Sequence, residues 1–183
     1  MPLPLLRPWR PDDAAELRTA VATSPDLVTQ LPVLDLTTED GCRTFIDTQL
    51  APEAEDGATL AITVAGTAVG SVGISAIDRR HGTAWLSYWV TTAARGKGLA
   101  TAALATIADR AIDNHGLFRL ELGHRVNNPS SCSVATRAGF VAEGVERAKL
   151  SYDGERFDVE THSRLRTDPW PGVHRLLVAE GSW

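Results

Sequence analysis

Alternating apolar and polar positions, bounded by glycine, proline, asparagine or aspartate, predict seven β-strands along the chain. Short turns at Gly66 and Gly154 join two pairs of these strands into hairpins. On the fourth strand, Trp85 and Trp89 share one face and Tyr88 lies on the other. The predicted strands are residues 3–9, 59–65, 68–77, 83–90, 118–126, 140–150 and 156–165.

Apolar residues three or four positions apart predict four helices between these strands. The first helix begins at Asp12 or Asp13, and the second begins at Thr37 and ends at Pro52. A third, long helix follows the fourth strand, and a fourth, short helix ends at Gly139. The resulting order, β α α β β β α β α β β, has a strand–loop–helix–strand unit at its centre. This order predicts an α/β domain with a mixed sheet.

The loop before the third helix carries two glycines and two basic residues, in the stretch Arg95-Gly96-Lys97-Gly98-Leu99. A strand–loop–helix connection collects unpaired N–H groups at the positive end of a helix, and such an end binds anions. Gly96 and Gly98 let the backbone approach a bulky anion without Cβ clashes, and the basic residues add positive charge. The stretch therefore predicts a phosphate or pyrophosphate site. The alternative is a glycine-containing helix start that holds no ligand.

Composition limits the classes of function. A chain of 183 residues, 43% hydrophobic and 22% charged, suits one soluble globular domain with a sizeable core. The net charge of −5 argues against a general nucleic-acid binder. No apolar run reaches the roughly 18 residues of a membrane span, and the start does not resemble a signal peptide, so we expect a cytoplasmic protein without a membrane partner. The two cysteines, Cys42 and Cys132, predict neither a disulfide framework nor a metal cluster.

Two groups of residues resemble a known family. Residues 95–100 fit the (Gln/Arg)-x-x-Gly-x-(Gly/Ala) pattern of the GCN5-related N-acetyltransferases, the GNAT family. Residues 117–121, 128–131 and 138–147 are similar to the subgroup that includes the ribosomal-protein N-terminal acetyltransferases RimJ and RimL. The resemblance covers residues 3–166. It implies the GNAT fold, with a mixed, mostly antiparallel central sheet of about seven strands and flanking helices.

The resemblance implies that the anion is the pyrophosphate of acetyl-coenzyme A, and it implies no metal. In this family the strands before and after the third helix diverge, and the pantetheine arm lies in the gap beside residues 88–90. The backbone N–H of Val90 is then the expected donor to the thioester carbonyl. The candidate cofactor-binding residues are Val90, Arg95, Gly96, Lys97, Gly98, Leu99, Ala100, Thr101, Asn128 and Ser131.

The resemblance also implies catalytic residues. Ser131 matches the hydroxyl proposed in this subgroup to protonate the leaving thiolate. Glu121, on the strand that flanks the cleft, is the candidate base for the attacking amine, and His124 is a second candidate. Tyr88 is a candidate acid or a lining residue of the cleft. Structural alternatives remain open, because Asn128 and Ser131 also suit an Asx turn and a helix N-cap, and Glu121 suits a paired surface carboxylate.

The subgroup match implies direct transfer to a primary amine in a ternary complex, with a protein N-terminal α-amine as the expected acceptor. A small amine, such as a polyamine, amino sugar or antibiotic, is one alternative. A non-enzymatic acyl-coenzyme A-binding module is another, because some relatives carry a glutamate where this chain has Ala148-Lys149-Leu150. The match predicts an acetyltransferase domain at residues 1–166. We expect the tail, residues 167–183, to pack on this domain or on a second subunit, since homodimers are common among relatives.

Overall fold

The computed structural model describes residues 3–27, 31, 35–51 and 57–183. Pro52, where we expect the second helix to end, lies outside the described residues. Within the described part, the chain forms eight strands and four α-helices. The strands are β1 (Leu5–Pro8), β2 (Ala58–Val64), β3 (Thr67–Asp78), β4 (Thr83–Val90), β5 (Arg119–Arg125), β6 (Val141–Tyr152), β7 (Glu155–Leu165) and β8 (Leu177–Val178). The helices are α1 (Ala14–Thr23), α2 (Glu39–Phe45), α3 (Leu99–Asp113) and α4 (Pro129–Arg137).

The eight strands form one sheet in the order β6-β7-β5-β4-β3-β2-β1-β8. Neighbours are antiparallel except for the pairs β4–β5 and β1–β8, which are parallel. The predicted mixed, mostly antiparallel sheet is therefore confirmed, but it has eight strands instead of about seven. The additional strand, β8, belongs to the tail and pairs with β1 through two residues. A two-residue strand is too short to produce an alternating pattern in the sequence.

The sheet opens between β4 and β5. These two strands pair only over the first three residues of each, with Trp85 opposite Glu121 as the last pair. In contrast, β4 stays paired with β3 as far as Val90, which lies opposite Gly70. The second half of β4 therefore has one edge free of strand pairing, and the gap lies at the end of β4 that leads into α3.

The long helix α3 packs against one face of the sheet. Twelve of its fifteen residues are buried, so the helix is covered on its outer side as well as by the sheet. The outer cover is the tail, since Leu176 is buried in the same core cluster and its N–H donates to Thr106 Oγ1 at 2.9 Å. Arg110 also donates to the backbone oxygen of Trp183 at 2.8 Å. The position of the predicted boundary at residue 166 stays a prediction.

A second core lies on the opposite face, between the sheet and the first two helices. Trp9 and Trp89 pack there with their ring centroids 6.0 Å apart. The second helix begins one residue later than the sequence predicts: Thr38, not Thr37, is the N-cap, because its hydroxyl accepts a hydrogen bond from Gly41 N at 3.1 Å. Among the described residues, none of the helices combines the length and the apolar character needed to cross a bilayer.

Candidate active site

A cavity of about 510 Å³ lies where β4 has lost its pairing with β5. Its walls are the end of β4, the loop that follows, and the first turns of α3 and α4. Tyr88 and all the candidate cofactor-binding residues except Lys97 line it. The lining also includes residues to which the sequence did not point, among them Asp26, Leu27, Ser133, Val134 and Arg137.

The start of α3 forms one wall of this cavity. Gly96 and Gly98 have φ angles of +72° and +75°, a left-handed conformation that glycine adopts at little cost. Gly98 is the N-cap of α3 and has no side chain to accept hydrogen bonds from the first-turn amides. The N–H groups of Leu99, Ala100 and Thr101 therefore lie uncapped at the cavity wall. Their positive φ angles require the two glycines, whereas the sequence predicted them from the close approach of an anion.

The basic residues of the loop add less charge to the cavity than the sequence suggests. Arg95 Nη2 donates to both carboxylate oxygens of Asp26, at 2.8 and 2.7 Å, so this cation is already paired. Lys97 Nζ donates to the backbone oxygen of Ala93 at 3.0 Å and lies outside the lining. Arg137, near the end of α4, places a further cation at the wall. No local pattern in the sequence points to Arg137.

The pairing of β4 with β3 determines which backbone groups face the gap. Thr91 N donates to Val69 O at 2.9 Å, one residue beyond the Gly70–Val90 pair. In an antiparallel ladder, this bond identifies Gly70 and Val90 as a non-hydrogen-bonded pair. The N–H and C=O groups of Val90, and of Tyr88 two residues earlier, therefore point away from β3 and toward the gap. This is the orientation that the expected thioester donor requires.

The first turn of α4 is tied to β4. Asn128 Oδ1 caps the helix by accepting a hydrogen bond from Ser131 N at 3.1 Å, which is the local role that the sequence left open. The hydroxyl of Tyr88 donates to the backbone oxygen of Ser131 at 3.0 Å. Burial raises the pKa of Tyr88 to about 12, even though a hydrogen bond with the side chain of Ser131 lowers it. Tyr88 is therefore protonated at neutral pH and holds α4 beside the cavity.

Glu121 lies away from these groups. Its Oε1 accepts two hydrogen bonds from Arg119, at 2.8 and 3.1 Å, and Glu121 is not part of the cavity lining. Arg119 also pairs with Glu143 and, together with Ser163, holds the pKa of that carboxyl at about 2. The structure thus brings Ser131 and Tyr88 together but leaves the candidate base in an ion-pair network on another part of the sheet.

His124 and the two tryptophans also have defined positions. His124 is buried and lines a second cavity, of about 500 Å³, that adjoins the first and shares Arg137 with it. Trp89 lines the first cavity, but Trp85 does not; instead, Lys149 Nζ lies 5.3 Å from the centre of the Trp85 ring. The structure therefore brings Trp89, but not Trp85, to the cleft.

Comparison with known proteins gives a consistent result. The profile of the acetyltransferase (GNAT) domain family matches residues 5–141. YdaF of Bacillus subtilis is 30% identical over 107 residues, which are 58% of this chain and 58% of YdaF. The ribosomal-protein-serine acetyltransferase of Escherichia coli is 28% identical over 97 residues, which are 53% of this chain and 54% of that protein. The matched segment thus spans little more than half the length of these curated relatives.

Solved structures match over more of the chain. RimJ of Mycobacterium smegmatis, in complex with a CoA-disulfide, has a TM-score of 0.79 at 27% identity. The match covers 87% of this chain and 80% of the RimJ chain. The structural match therefore covers more of the chain than the segment that the profile matches.

Proposed function

Because the chain belongs to the acetyltransferase (GNAT) family, we propose that it transfers the acetyl group of acetyl-coenzyme A to a primary amine. The observation that carries the proposal is the cavity at the break in the sheet. There, the uncapped N-terminus of α3 lies opposite the free edge of β4, in one continuous space of about 510 Å³. An anion site and a free strand edge are what a long cofactor with a diphosphate and an amide-containing arm requires.

On this proposal, the diphosphate binds the N–H groups of Gly98, Leu99, Ala100 and Thr101. The amide-containing arm extends along the edge of β4, where the backbone groups of residues 88 and 90 point into the gap. The CoA-disulfide complex of the M. smegmatis relative supports this choice of cofactor. The thioester then lies at the end of β4, beside the N–H of Val90.

The chemistry needs a neutral amine, because an ammonium has no lone pair. The amine nitrogen attacks the thioester carbonyl, and the N–H of Val90 stabilises the developing oxyanion. Collapse of the intermediate breaks the C–S bond, and the hydroxyl of Ser131 gives a proton to the thiolate. Ser131 regains a proton from solvent. Because Glu121 lies outside the cavity, the proton of the amine leaves through water.

We take a protein N-terminal α-amine as the acceptor, since a relative aligned over half of this chain is named as a ribosomal-protein-serine acetyltransferase. The test is release of free thiol from acetyl-coenzyme A in the presence of a panel of N-terminal peptides. A second panel contains polyamines, amino sugars and amine antibiotics. Turnover with peptides supports the proposal, and turnover only with small amines changes the acceptor class. Cofactor binding without turnover on either panel overturns the proposed transfer.

A further inference from the structure

Four side chains from three different elements converge beside the second cavity. His124 comes from β5, Cys132 from α4, and Glu160 and His162 from β7. One nitrogen, sulfur or oxygen atom of each lies within 4.8 Å of the corresponding atom of every other member. The cluster is therefore a compact set of four potential metal ligands, and neither the cofactor nor the transfer reaction proposed above requires it.

The two imidazoles form the centre of this cluster. His124 Nε2 and His162 Nε2 face each other at 3.0 Å, and Glu160 Oε2 lies 3.3 Å from the first and 2.9 Å from the second. Both histidines are buried, with 8% and 1% of their surface exposed. Cys132 and Glu160 are partly exposed and line the second cavity, which gives an ion a path from solvent.

The tautomer of His124 suits a ligand. Its Nδ1 lies 3.0 Å from the backbone oxygen of Arg125, which can only accept a hydrogen bond, so Nδ1 carries the proton. In the neutral ring, Nε2 then presents its lone pair to the cluster. Histidines that bind metals in proteins commonly donate the N–H of the other ring nitrogen to a backbone carbonyl, as His124 does here.

We propose that His124, Cys132, Glu160 and His162 form a Zn²⁺ site. Two imidazole nitrogens, a thiolate and a carboxylate are ligands that Zn²⁺ accepts in tetrahedral geometry. With Zn–N bonds of about 2.0–2.1 Å, two nitrogens of a tetrahedron lie about 3.3 Å apart, so the observed 3.0 Å needs a small outward shift.

Charge also balances in this site. Binding displaces the thiol proton of Cys132 to solvent. Because His124 Nε2 carries no proton, His162 Nε2 is the donor between the two rings in the metal-free protein. That proton moves to His162 Nδ1, which is buried without a partner among the described residues, so binding also costs one unpaired N–H. The thiolate and the carboxylate of Glu160 then neutralise the two charges of the ion, so no net charge is left among buried groups.

The position of the site predicts its effect on the protein. Cys132 follows Ser131 in the first turn of α4, whereas the other three ligands lie on the neighbouring strands β5 and β7. A bound ion would cross-link α4 to this strand pair and fix the turn that carries Ser131. The site is then a structural one that positions the helix beside the first cavity.

The test uses the full chain after removal of metals with a chelator. Zn²⁺ is titrated in competition with a chromophoric chelator, and Co²⁺ is added separately as a spectroscopic probe. We expect one equivalent of Zn²⁺, a rise in the melting temperature, and a thiolate-to-cobalt charge-transfer band. Cys132→Ala should weaken Zn²⁺ binding at least about tenfold and remove the band. The matched control is Cys42→Ala, which removes the other cysteine. It should keep both the Zn²⁺ affinity and the charge-transfer band.

Glu160→Gln is a second variant, chosen because the side chain is partly exposed and the amide keeps its shape. It should weaken Zn²⁺ binding while circular dichroism of the metal-free protein stays that of the wild type. Absence of stoichiometric binding by the wild type would overturn the proposal. So would equal affinity in Cys132→Ala, or a Co²⁺ spectrum without the thiolate band. In those cases the cluster is a histidine pair held by hydrogen bonds alone.

Discussion

At the scale of single residues, the role of Gly98 in cofactor binding can be distinguished from the backbone strain that any substitution of a glycine with positive φ causes. Gly98 and Gly154 both have positive φ angles, +75° and +83°, and at neither position would an added Cβ meet an atom within 4 Å. A side chain therefore costs similar backbone strain at both. Gly154 lies in the turn of the β6–β7 hairpin, away from the cavity, whereas Gly98 lies at its wall.

We expect Gly98→Glu to weaken the binding of acetyl-coenzyme A at least about tenfold, a loss of about 1.4 kcal/mol or more. The new carboxylate would occupy the anion site and repel the diphosphate. Isothermal titration calorimetry measures the affinity, with Gly154→Glu as the control that should bind normally. Equal affinities of the two variants would show that the start of α3 does not hold the cofactor.

The hydroxyl of Ser131 gives the second residue-scale prediction. If it protonates the leaving thiolate, Ser131→Ala should lower kcat about a hundredfold and leave cofactor affinity nearly unchanged, since the backbone bonds of residue 131 remain. Steady-state kinetics and calorimetry together measure this difference. The control is Ser133→Ala, on the same helix and also at the cavity wall, which should keep kcat within a few-fold. A normal kcat in Ser131→Ala would remove this hydroxyl from the mechanism.

At the scale of elements, Tyr88 is the link between β4 and α4, and its titration reports on that link. The pKa of Tyr88 in the folded state, about 12, is above the value of about 10 for an unfolded chain. The unfolded state therefore loses its proton first, and the free energy of unfolding falls as the pH rises from about 10 to about 12. The loss due to this residue is roughly 2 kcal/mol.

Urea denaturation across this pH range measures the effect. The variant Tyr88→Phe should be less stable than the wild type at pH 8, because the bond to the backbone oxygen of Ser131 is lost. Its stability should then decline less between pH 10 and pH 12. The control is Tyr152→Phe, which removes the second of the two tyrosines, located in the β6–β7 hairpin. Its stability should decline with pH as that of the wild type does. Parallel declines of all three proteins would contradict a buried phenol at position 88.

Elements also show what the sequence could predict. Local spacing is sufficient to predict the glycine-containing loop as an anion site, because Gly96 and Gly98 lie next to the helix whose N-terminus they expose. Pairs from distant segments leave no such pattern. Asp26 and Arg95 are 69 positions apart, and His124 and His162 are 38 apart, so their contacts exist only once the chain has folded. This is why the sequence predicted positive charge from Arg95 but not its pairing with Asp26.

At the scale of the whole molecule, the tail acts as an outer layer of the fold. The sequence predicted a tail that packs on this domain or on a second subunit, but not the surface that it covers, because α3 already has a complete apolar face toward the sheet. The structure shows that the outer side of α3 is buried too, beneath Leu176. The ring of Trp183 adds to this cover by stacking on His115, with centroids 3.9 Å apart. Stability of the domain should therefore depend on the tail.

Two adjacent leucines of the tail test this dependence. Leu176 is 6% exposed and packs in the core with α3, whereas Leu177, on β8, is 57% exposed. We expect Leu176→Ala to lower the free energy of unfolding by about 2–4 kcal/mol, through lost burial and the cavity that remains. Leu177→Ala should change it by less than about 0.5 kcal/mol. Chemical denaturation followed by far-UV circular dichroism compares them, and unfolding should remain one cooperative transition. Similar small effects of both substitutions would mean that the tail detaches from α3 without cost, and that the domain is stable without this outer layer.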